Sequence, residues 1–217
     1  MKLPKIGERV EVASKYVIKA GKLLDIGCGS GEIIFFVKDR VSKIYGVDNS
    51  RKKLELAKRN GLITKAFDLN DGKLPYKDFL FEVVTCLDVL EHIKNPVKLS
   101  REVYRVLKKN GAFILSTPNI RFSGHLFSLI FKGRFPKTSD NKEAYDGGHI
   151  HYFAFSDLRS ILKKAGFKIT HERGIINKAK RGFWGQFFKI ILGGKFMREF
   201  RSQGILIVAK KVKWMSC

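Results

Sequence analysis

The sequence predicts an α/β domain with a central sheet that is mostly parallel. Apolar strand patterns alternate with amphipathic helix patterns over the first half of the chain, as in consecutive βαβ units. A glycine-rich turn follows the first strand of this series, and acidic residues end later strands. Ligands of such open sheets bind outside the carboxyl ends of the strands. We therefore expect a ligand site at that edge.

Each element of this first half has its own signal. Short apolar runs predict strands at 22–26, 43–48, 63–67, 81–87 and 112–116. Apolar residues at helical spacing predict helices at 9–20, 30–38, 50–59 and 97–107. Asn110-Gly111 is expected to end the last of these helices, because both residues tolerate the left-handed conformation that commonly follows a helix.

The alternation is interrupted after residue 119. An aromatic and basic stretch and then a polar loop occupy about 119–155. A helix at 156–165 and a strand at 167–173 follow, and a second irregular segment, 177–202, precedes a last strand at 204–210. Since the sequence contains no repeat or low-complexity linker, we predict one domain over 1–217, with these two segments as insertions on the substrate side.

The composition suits a packed globular domain. The chain has 217 residues, of which 44% are hydrophobic. No apolar run reaches the length of a transmembrane helix, and the N-terminus lacks the apolar stretch of a signal peptide. The three cysteines have neither pairing nor metal-ligand spacing. These observations predict a cytoplasmic protein.

The chain is strongly basic, with a formal net charge of +23. The excess is greatest in residues 117–217, which contain 20 Lys and Arg but only 6 Asp and Glu. Such a field favours anionic partners: a charged small molecule, a lipid surface or nucleic acid. A lysine-rich surface without a specific role would explain the first half better than the second.

The segment Leu23–Glu32 predicts a buried strand, a glycine-rich turn and the start of a helix. Glycines let the backbone approach a ligand closely, and the helix start offers free N–H groups. A dinucleotide-binding fingerprint would place its third glycine where Glu32 stands. Here Asp25 instead precedes three glycines that alternate with other residues.

This loop resembles the cofactor loop of class I S-adenosylmethionine-dependent methyltransferases. The resemblance continues through four further segments, Lys43–Asn49, Ile63–Leu69, Phe81–His92 and Lys108–Asn119. It implies a Rossmann-like, seven-stranded sheet in the order 3-2-1-4-5-7-6, with helices on both faces and an antiparallel last hairpin. It also implies S-adenosylmethionine as cofactor and S-adenosylhomocysteine as product.

The same resemblance implies a set of cofactor-binding residues. Asp25 and the glycine loop would hold the methionine part, Asp48 the ribose, and Asp68 with Leu69 the adenine side. The implied set is Asp25, Gly27, Cys28, Gly29, Gly31, Asp48, Asn49, Asp68, Leu69 and Leu87. The alternative for Asp48 and Asp68 is that they are helix caps or turn residues, positions in which aspartate is common.

Two histidines, His149 and His151, are predicted to be catalytic. They lie in the run Gly147–Phe153, ahead of a helix that ends in Ala-Gly-Phe. This pattern is similar to a branch that includes quinone-pathway and glycan-modifying methyltransferases. Because an imidazole titrates near neutral pH, it can accept the proton of a hydroxyl acceptor. The alternative is that both histidines only pack the lid over the site.

Asp88, Glu91 and His92 have the spacing that places three side chains on one helical face. Quinone-pathway O-methyltransferases carry a similar acid-x-x-Glu-His run that has been assigned to a divalent metal. A Glu-His pair also lines the pocket of methyltransferases without metal, and the first acid here is the shorter Asp. We therefore predict no metal, with a divalent ion as the alternative.

The segment 183–200 has an aromatic stripe flanked by basic residues. It is either a lid with an apolar underside or a helix that lies in a membrane interface. Together these observations predict methyl transfer to a small-molecule or lipid-linked acceptor at oxygen, in the cytoplasm or peripherally at the inner membrane surface.

Two other functions stay open at this point. The basic charge also suits an RNA methyltransferase, acting on tRNA or rRNA. Against it, no separate RNA-binding module is visible, and Leu87–Leu90 stands where many base-amino methyltransferases have an Asn/Asp-Pro-Pro-aromatic run. The third possibility is a non-catalytic scaffold that keeps the cofactor fold.

Overall fold

The computed structural model describes residues 7–135, 137–138, 145–176 and 198–212. These residues form one sheet with seven strands: β1 (Ala20–Ile26), β2 (Val41–Asp48), β3 (Ile63–Ala66), β4 (Phe81–Leu87), β5 (Leu107–Pro118), β6 (Phe167–Ile175) and β7 (Gly204–Lys211). Their order is β3-β2-β1-β4-β5-β7-β6. The first five strands are parallel, and β7 runs antiparallel to both β5 and β6. The predicted fold and strand order are confirmed.

Besides short helical turns, the described residues contain six α-helices: α1 (Glu8–Ser14), α2 (Ile34–Val37), α3 (Arg51–Arg59), α4 (Pro96–Val106), α5 (Ser123–Lys132) and α6 (Phe155–Lys164). Side-chain caps define several of their starts. The Asn95 side chain accepts a hydrogen bond from the N–H of Lys98 (2.9 Å) at the start of α4. At the start of α6, the Asp157 carboxylate accepts from the N–H of Ala154 (2.8 Å).

The helices cover both faces of the sheet. Adjacent residues of a strand point to opposite faces, and neighbouring Leu23 and Leu24 of β1 accordingly belong to different buried clusters. The cluster around Leu24 includes apolar residues of α4 and α6, whereas the cluster around Leu23 includes residues of α1 and α3. The sheet is thus buried between two helical layers, which leaves its carboxyl edge to form the site.

The prediction that Asn110-Gly111 ends a helix is wrong. Helix α4 already ends at Val106, and Leu107 pairs with Phe81 as the first residue of β5. Asn110 has a φ of +61°, and the register between β4 and β5 shifts here. Asparagine tolerates the left-handed region, so the pair forms an irregularity inside the strand instead of a helix cap.

The region from 119 to 155 contains a helix, α5, that the sequence interpretation did not include. Gly133 ends it in the left-handed conformation (φ +58°). Helix α2 is shorter than predicted, because the glycine turn extends to residue 33. Of the second predicted insertion, residues 177–197 lie outside the described residues, and 198–201 are helical. Within the parts of the chain described, no helix is both long and apolar enough to span a membrane.

Candidate active site

The glycine loop lies at the carboxyl end of β1, where Gly27, Gly29 and Gly31 all have positive φ (+65°, +50° and +78°). Each therefore needs the conformational freedom of glycine. A Cβ on Gly27 would lie 2.3 Å from a methyl group of Val89, but a Cβ on Gly29 would have no neighbour within 4 Å. Gly29 thus exposes its backbone to open space, as a cofactor cradle requires.

Two clefts open on this loop. The first has a volume of about 640 Å³ and is lined by residues that include Asp25, Gly27, Cys28, Gly29 and Leu87. The second has a volume of about 400 Å³ and is lined by residues that include Asp48, Asn49, Asp68, Leu69 and His92. Because Gly27, Gly29, Lys53 and Asp88 line both, the two clefts adjoin.

Nine of the ten predicted cofactor-binding residues line these clefts, and Gly31 does not. A Cβ on Gly31 would lie 2.8 Å from a methyl group of Leu62, so this glycine makes room for packing under the loop. Cys28 is also packed, since its Sγ would lie 2.6 Å from a Cβ on Gly46. Burial raises the pKa of the Cys28 thiol, which therefore stays protonated.

Asp25 lies at the floor of the first cleft and is buried. Its Oδ1 accepts a hydrogen bond from the hydroxyl of Thr85 (2.6 Å). Burial raises the pKa of Asp25 to about 7, and the nearby acids Asp48 and Glu32 act in the same direction. A cation beside this carboxyl would offset the energetic cost of burying its ionised form, so the site suits a positively charged group.

Asp48 connects the two sides of the loop. Its Oδ2 accepts from the N–H of Gly29 (2.9 Å), and its Oδ1 accepts from the N–H of Ser50 (2.8 Å). Ser50, not Asp48, caps α3. Asp68 accepts from the N–H of Asn70 (2.9 Å) in the turn beside the second cleft. Both acids therefore order turns in addition to facing a cleft, so the two sequence interpretations are compatible.

Arg9 is a cleft residue that the sequence interpretation did not identify. It lies on α1, lines the first cleft and forms an ion pair with Asp88. Asp88 also accepts a hydrogen bond from the hydroxyl of Ser116 (3.0 Å). Nothing in the local sequence distinguishes Arg9, because its position depends on how α1 packs against the sheet edge.

The spacing of Asp88, Glu91 and His92 predicted that their side chains share one helical face, but they do not. Asp88 has a φ of +54°, and only Leu90–His92 form a single 3₁₀ turn. The side chain of Asp88 is held by Arg9 and Ser116 instead. The residue that lies beside Glu91 and His92 is His149. Within the described part of the chain, these three residues have ligand-type atoms within 4.8 Å of one another.

His149 is held by a polar network within the lid. The Thr138 hydroxyl donates to Asp146 (2.7 Å) and also lies 2.7 Å from Nδ1 of His149. Because that hydroxyl has only one proton, Nδ1 must donate to it, and Nε2 of His149 carries the lone pair. Burial lowers the pKa of His149, and the neighbouring His92 lowers it further. The ring is therefore neutral at neutral pH.

His92 lines the second cleft, and its ring packs edge-on against His149, with the ring centroids 4.7 Å apart. Its Nδ1 lies 3.2 Å from the carbonyl oxygen of Gly148. A carbonyl only accepts, so Nδ1 donates, and in the neutral form of the ring the lone pair is on Nε2. The side chain of His149 is only 6% exposed. His92, which was not predicted to be catalytic, is thus the histidine of this pair that lines the cleft.

The second predicted catalytic histidine, His151, packs within the lid. Its Nε2 lies 3.0 Å from the carbonyl oxygen of Ile93, and its ring stacks on Phe153 with the centroids 5.6 Å apart. The backbone N–H groups of Ile150 and His151 donate to the carbonyl of Glu91 (3.0 and 3.1 Å). These bonds join the lid to the turn after β4.

The side chain of Glu91 lies beneath this junction and is 1% exposed. Neither of its carboxyl oxygens has a hydrogen-bond partner among the described residues, and Oε1 lies 3.9 Å from Nε2 of His149. Burial raises the pKa of Glu91 to about 8, and the nearby Asp88 contributes to the increase. Burial and the neighbouring acid thus both favour the neutral form of the Glu91 carboxyl.

Comparison with known proteins gives a consistent result. The family described as a methyltransferase domain matches residues 3–172. An uncharacterized protein of Methanocaldococcus jannaschii is 31% identical over 227 residues, which cover 98% of this chain and 84% of that protein. A ubiquinone biosynthesis O-methyltransferase of Pseudomonas fluorescens is 31% identical over 130 residues, covering 58% of this chain and 53% of the relative. The match thus spans about half the length of that enzyme.

Solved structures share the fold. A methyltransferase in complex with the Haloferax volcanii Trm112 methyltransferase activator matches with a TM-score of 0.69 and 16% identity, covering 94% of this chain and 89% of that one. A Thermotoga maritima S-adenosylmethionine-dependent methyltransferase matches with a TM-score of 0.66 and 19% identity, covering 94% and 87%. With the glycine cradle and the family match, these findings show that the chain belongs to the methyltransferase domain family and is a class I S-adenosylmethionine-dependent methyltransferase.

Proposed function

We propose that the protein methylates an oxygen atom of a small-molecule or lipid-linked acceptor. The observation that carries this proposal is the pair of packed imidazoles, His92 and His149, of which His92 lines the second cleft. Methyl transfer to a hydroxyl needs a group that accepts its proton, and a neutral histidine suits that task near pH 7. The resemblance to ubiquinone biosynthesis O-methyltransferases supports an oxygen acceptor.

The cofactor supplies an electrophilic methyl group on a sulfonium. We propose that Asp25 pairs with the ammonium of its methionine part, since a cation would offset the cost of burying the ionised carboxylate. Asp48 would bind the ribose hydroxyls, and Asp68 with Leu69 would contact the adenine side in the second cleft. The backbone of Gly29 would face the ligand, because its missing side chain leaves that space open.

In this proposal His92 accepts the proton of the acceptor hydroxyl and His149 positions the ring of His92. The carbonyl of Gly148 fixes the His92 tautomer, so the lone pair is on Nε2. The low exposure of His149 and its bonds within the lid support a positioning role instead of the direct one that the sequence predicted. His151, bonded to a backbone carbonyl, would be structural.

The proposal is tested by the release of S-adenosylhomocysteine with quinol, catechol, glycan and lipid-linked hydroxyl acceptors. His92→Gln should lower kcat by roughly 10²- to 10⁴-fold without changing the Kd of S-adenosylmethionine, because the base acts only in the chemical step. His149→Asn should lower kcat less and shift the pH profile. His171→Asn, at an exposed position of β6, is the matched control. Full activity of His92→Gln would refute the role of His92.

An RNA acceptor is the alternative that the charge keeps open. The likeness to the Trm112-bound methyltransferase is at 16% identity, so it supports the fold and not the substrate. Transfer of labelled methyl groups to tRNA or rRNA fragments, weakened steeply by salt, would favour this alternative. Transfer to a small hydroxyl acceptor with no incorporation into RNA would favour the proposal.

The cluster of Glu91, His92 and His149 also has the donor types that a divalent cation takes. We nevertheless expect activity without added metal, because the acid that the spacing had offered as a third ligand, Asp88, is held by Arg9 and Ser116 instead. Activity should survive dialysis against a chelator. A loss of activity that added Mg²⁺ or Zn²⁺ restores would assign the cluster to a metal instead.

A further inference from the structure

Helix α5 presents an unusually apolar surface to solvent. None of its residues is buried, and its exposed residues include Phe127, Leu129, Ile130 (70% exposed) and Phe131 (73% exposed). Phe135, just beyond the helix, is also exposed. A helix with apolar residues over most of its circumference ordinarily lies in a protein core or contacts lipid. We refer to these five residues as the α5 patch.

The N-terminal end of α5 is firmly attached to the protein. Asn119, fully buried, donates from its side chain to the carbonyls of Glu199 (2.6 Å) and Ser202 (2.8 Å). Arg121 forms an ion pair with Glu199 and lies over the ring of Phe200, 4.4 Å from its centroid. The patch lies on the other half of the helix. The patch is therefore exposed on a helix whose start is anchored, and not on a frayed chain end.

Basic residues lie at the C-terminal end of the patch. Lys132 ends α5, and its Nζ lies 5.9 Å from the ring centroid of Phe127, while Arg134 and Lys137 follow shortly after the helix in the sequence. The second half of the chain as a whole contains 20 basic and 6 acidic residues. Apolar side chains that project from a cationic surface match the chemistry of an anionic lipid bilayer, in which headgroups are negative and acyl chains lie just beneath.

We propose that the α5 patch docks this protein peripherally on an anionic lipid surface. A second copy of the chain is a poorer occupant, because it would bring two cationic surfaces together. Nucleic acid is also poorer, because it could stack on the phenylalanine rings but would leave the aliphatic side chains of Leu129 and Ile130 in water. The proposal differs from the sequence prediction, which gave membrane contact of 183–200 as one of two alternatives; residues 183–197 lie outside the described residues.

If the proposed function also holds, docking through α5 would bring the active site close to a membrane-borne acceptor. The helix follows the carboxyl end of β5, and both clefts open at that edge of the sheet. A protein held to the bilayer by α5 would present this edge toward the membrane. The acceptor would then be an amphiphile whose hydroxyl lies at the lipid–water interface. This last step rests on the proposed function, whereas the docking itself does not.

The test is flotation of the full chain with vesicles of phosphatidylcholine alone and of phosphatidylcholine mixed with phosphatidylglycerol. The native chain should bind only the anionic vesicles, and less at high salt. Ile130→Glu with Phe131→Glu should lower binding at least about tenfold, because two side chains no longer enter the bilayer. Lys132→Ala with Arg134→Ala should lower it by about fivefold per charge.

Matched controls lie at the opposite edge of the sheet. Ile18, 59% exposed before β1, is replaced by Glu, and Lys163 with Lys164, exposed at the end of α6, are replaced by Ala. These controls should bind like the native chain. The proposal would be overturned if the α5 variants bound anionic vesicles as well as the native chain does, or if the native chain did not bind them. Conversion of a native dimer into a monomer by the α5 variants without any vesicle binding would also overturn it.

The Kd of S-adenosylmethionine, measured on the same α5 variants, separates the two proposals. Native-like cofactor affinity with lost vesicle binding supports the docking, whatever acceptor is found. Vesicle binding without any methyl transfer to hydroxyl acceptors would leave the docking supported and the proposed function refuted. Loss of both cofactor affinity and vesicle binding in the α5 variants would indicate misfolding, and the single variant Ile130→Ser would then decide the matter.

Discussion

The cofactor side and the lid side of the site are held in different ways. On the cofactor side, the Asp48 carboxylate fixes Gly29, which is only 19 residues away in the sequence. On the lid side, Asn119 bonds to Ser202 across 83 residues, and His151 bonds to Ile93 across 58. The first is a local turn on a parallel sheet, whereas the second exists only once distant segments have assembled. The cofactor side should therefore tolerate changes in the lid, and the predictions below test this independence.

The largest expected effect concerns Asp25 and pH. Its pKa is raised to about 7 in the fold, above the ordinary value of 3.8, so the folded state binds more protons between these values. The free energy of unfolding should therefore fall as pH rises from about 4 to about 7, by at most roughly 4 kcal/mol from this group. Urea titrations at several pH values should show a flatter dependence for Asp25→Asn.

Asp39→Asn, at an exposed position, is the control for this dependence. Identical pH profiles of Asp25→Asn and the native chain would contradict the assignment. The same group should also report on the cofactor. Binding of the cationic methionine end favours the ionised carboxylate, so it should release a proton near pH 6. Calorimetry in buffers of different ionisation enthalpy measures this release.

The next effect compares two glycines of one loop. Gly27→Ala forces a left-handed alanine and places its Cβ 2.3 Å from Val89, so it should lower the free energy of unfolding by about 2 to 4 kcal/mol. Gly29→Ala has the same backbone strain but no steric conflict. It should cost only about 1 to 2 kcal/mol and mainly weaken cofactor binding. Urea unfolding and calorimetry together separate the two, and equal destabilisation would contradict the structure of the loop.

Asp48→Ala should weaken S-adenosylmethionine binding by roughly 10- to 150-fold, because hydrogen bonds to a charged group contribute about 1.5 to 3 kcal/mol. The variant loses the bonds to Gly29 and Ser50 as well as the proposed ribose contact. Calorimetry with S-adenosylmethionine and S-adenosylhomocysteine measures the change. Asp68→Asn is the comparison, with a smaller expected loss. Unchanged affinity of Asp48→Ala would remove Asp48 from the cofactor site.

Asn119→Ala gives the smallest effect and the most direct test of the comparison. It leaves two carbonyls of the lid attachment without their donor, which should cost about 1 to 3 kcal/mol in unfolding free energy. The Kd of S-adenosylmethionine should change less than about twofold, since Asn119 lines neither cleft. A parallel loss of cofactor affinity would show that the two sides are coupled, contrary to the comparison.

The sequence indicated which residues would line the cofactor side because its signals are local. Three glycines with positive φ, and acids at the ends of β1 and β2, are each visible within a few residues. The lid side was predicted less well. The spacing of Asp88, Glu91 and His92 indicated one helical face, but Asp88 adopts a left-handed φ and pairs with Arg9. No local pattern shows an ion pair between residues that far apart.

Helix α5 and the histidine pair illustrate the same limit. The residues of α5 were identified as aromatic and basic, but without a buried face they gave no clear amphipathic pattern, and the helix was missed. His149 was identified as a catalytic candidate from its run. Its contact with His92 depends on the lid folding back over the turn after β4, through the backbone bonds to Glu91.

The amino-acid sequence by itself determined the α/β class, the strand order through its resemblance to a family, and the glycine cradle with its acids. These features are set by strand periodicity and by turns whose backbone conformation only glycine readily adopts. The tertiary structure alone decided which histidine lines the cleft, which residue pairs with Asp88 and which apolar surface stays exposed. Those outcomes depend on packing between segments far apart in the chain, where burial and charge act through space and leave no local pattern in the sequence.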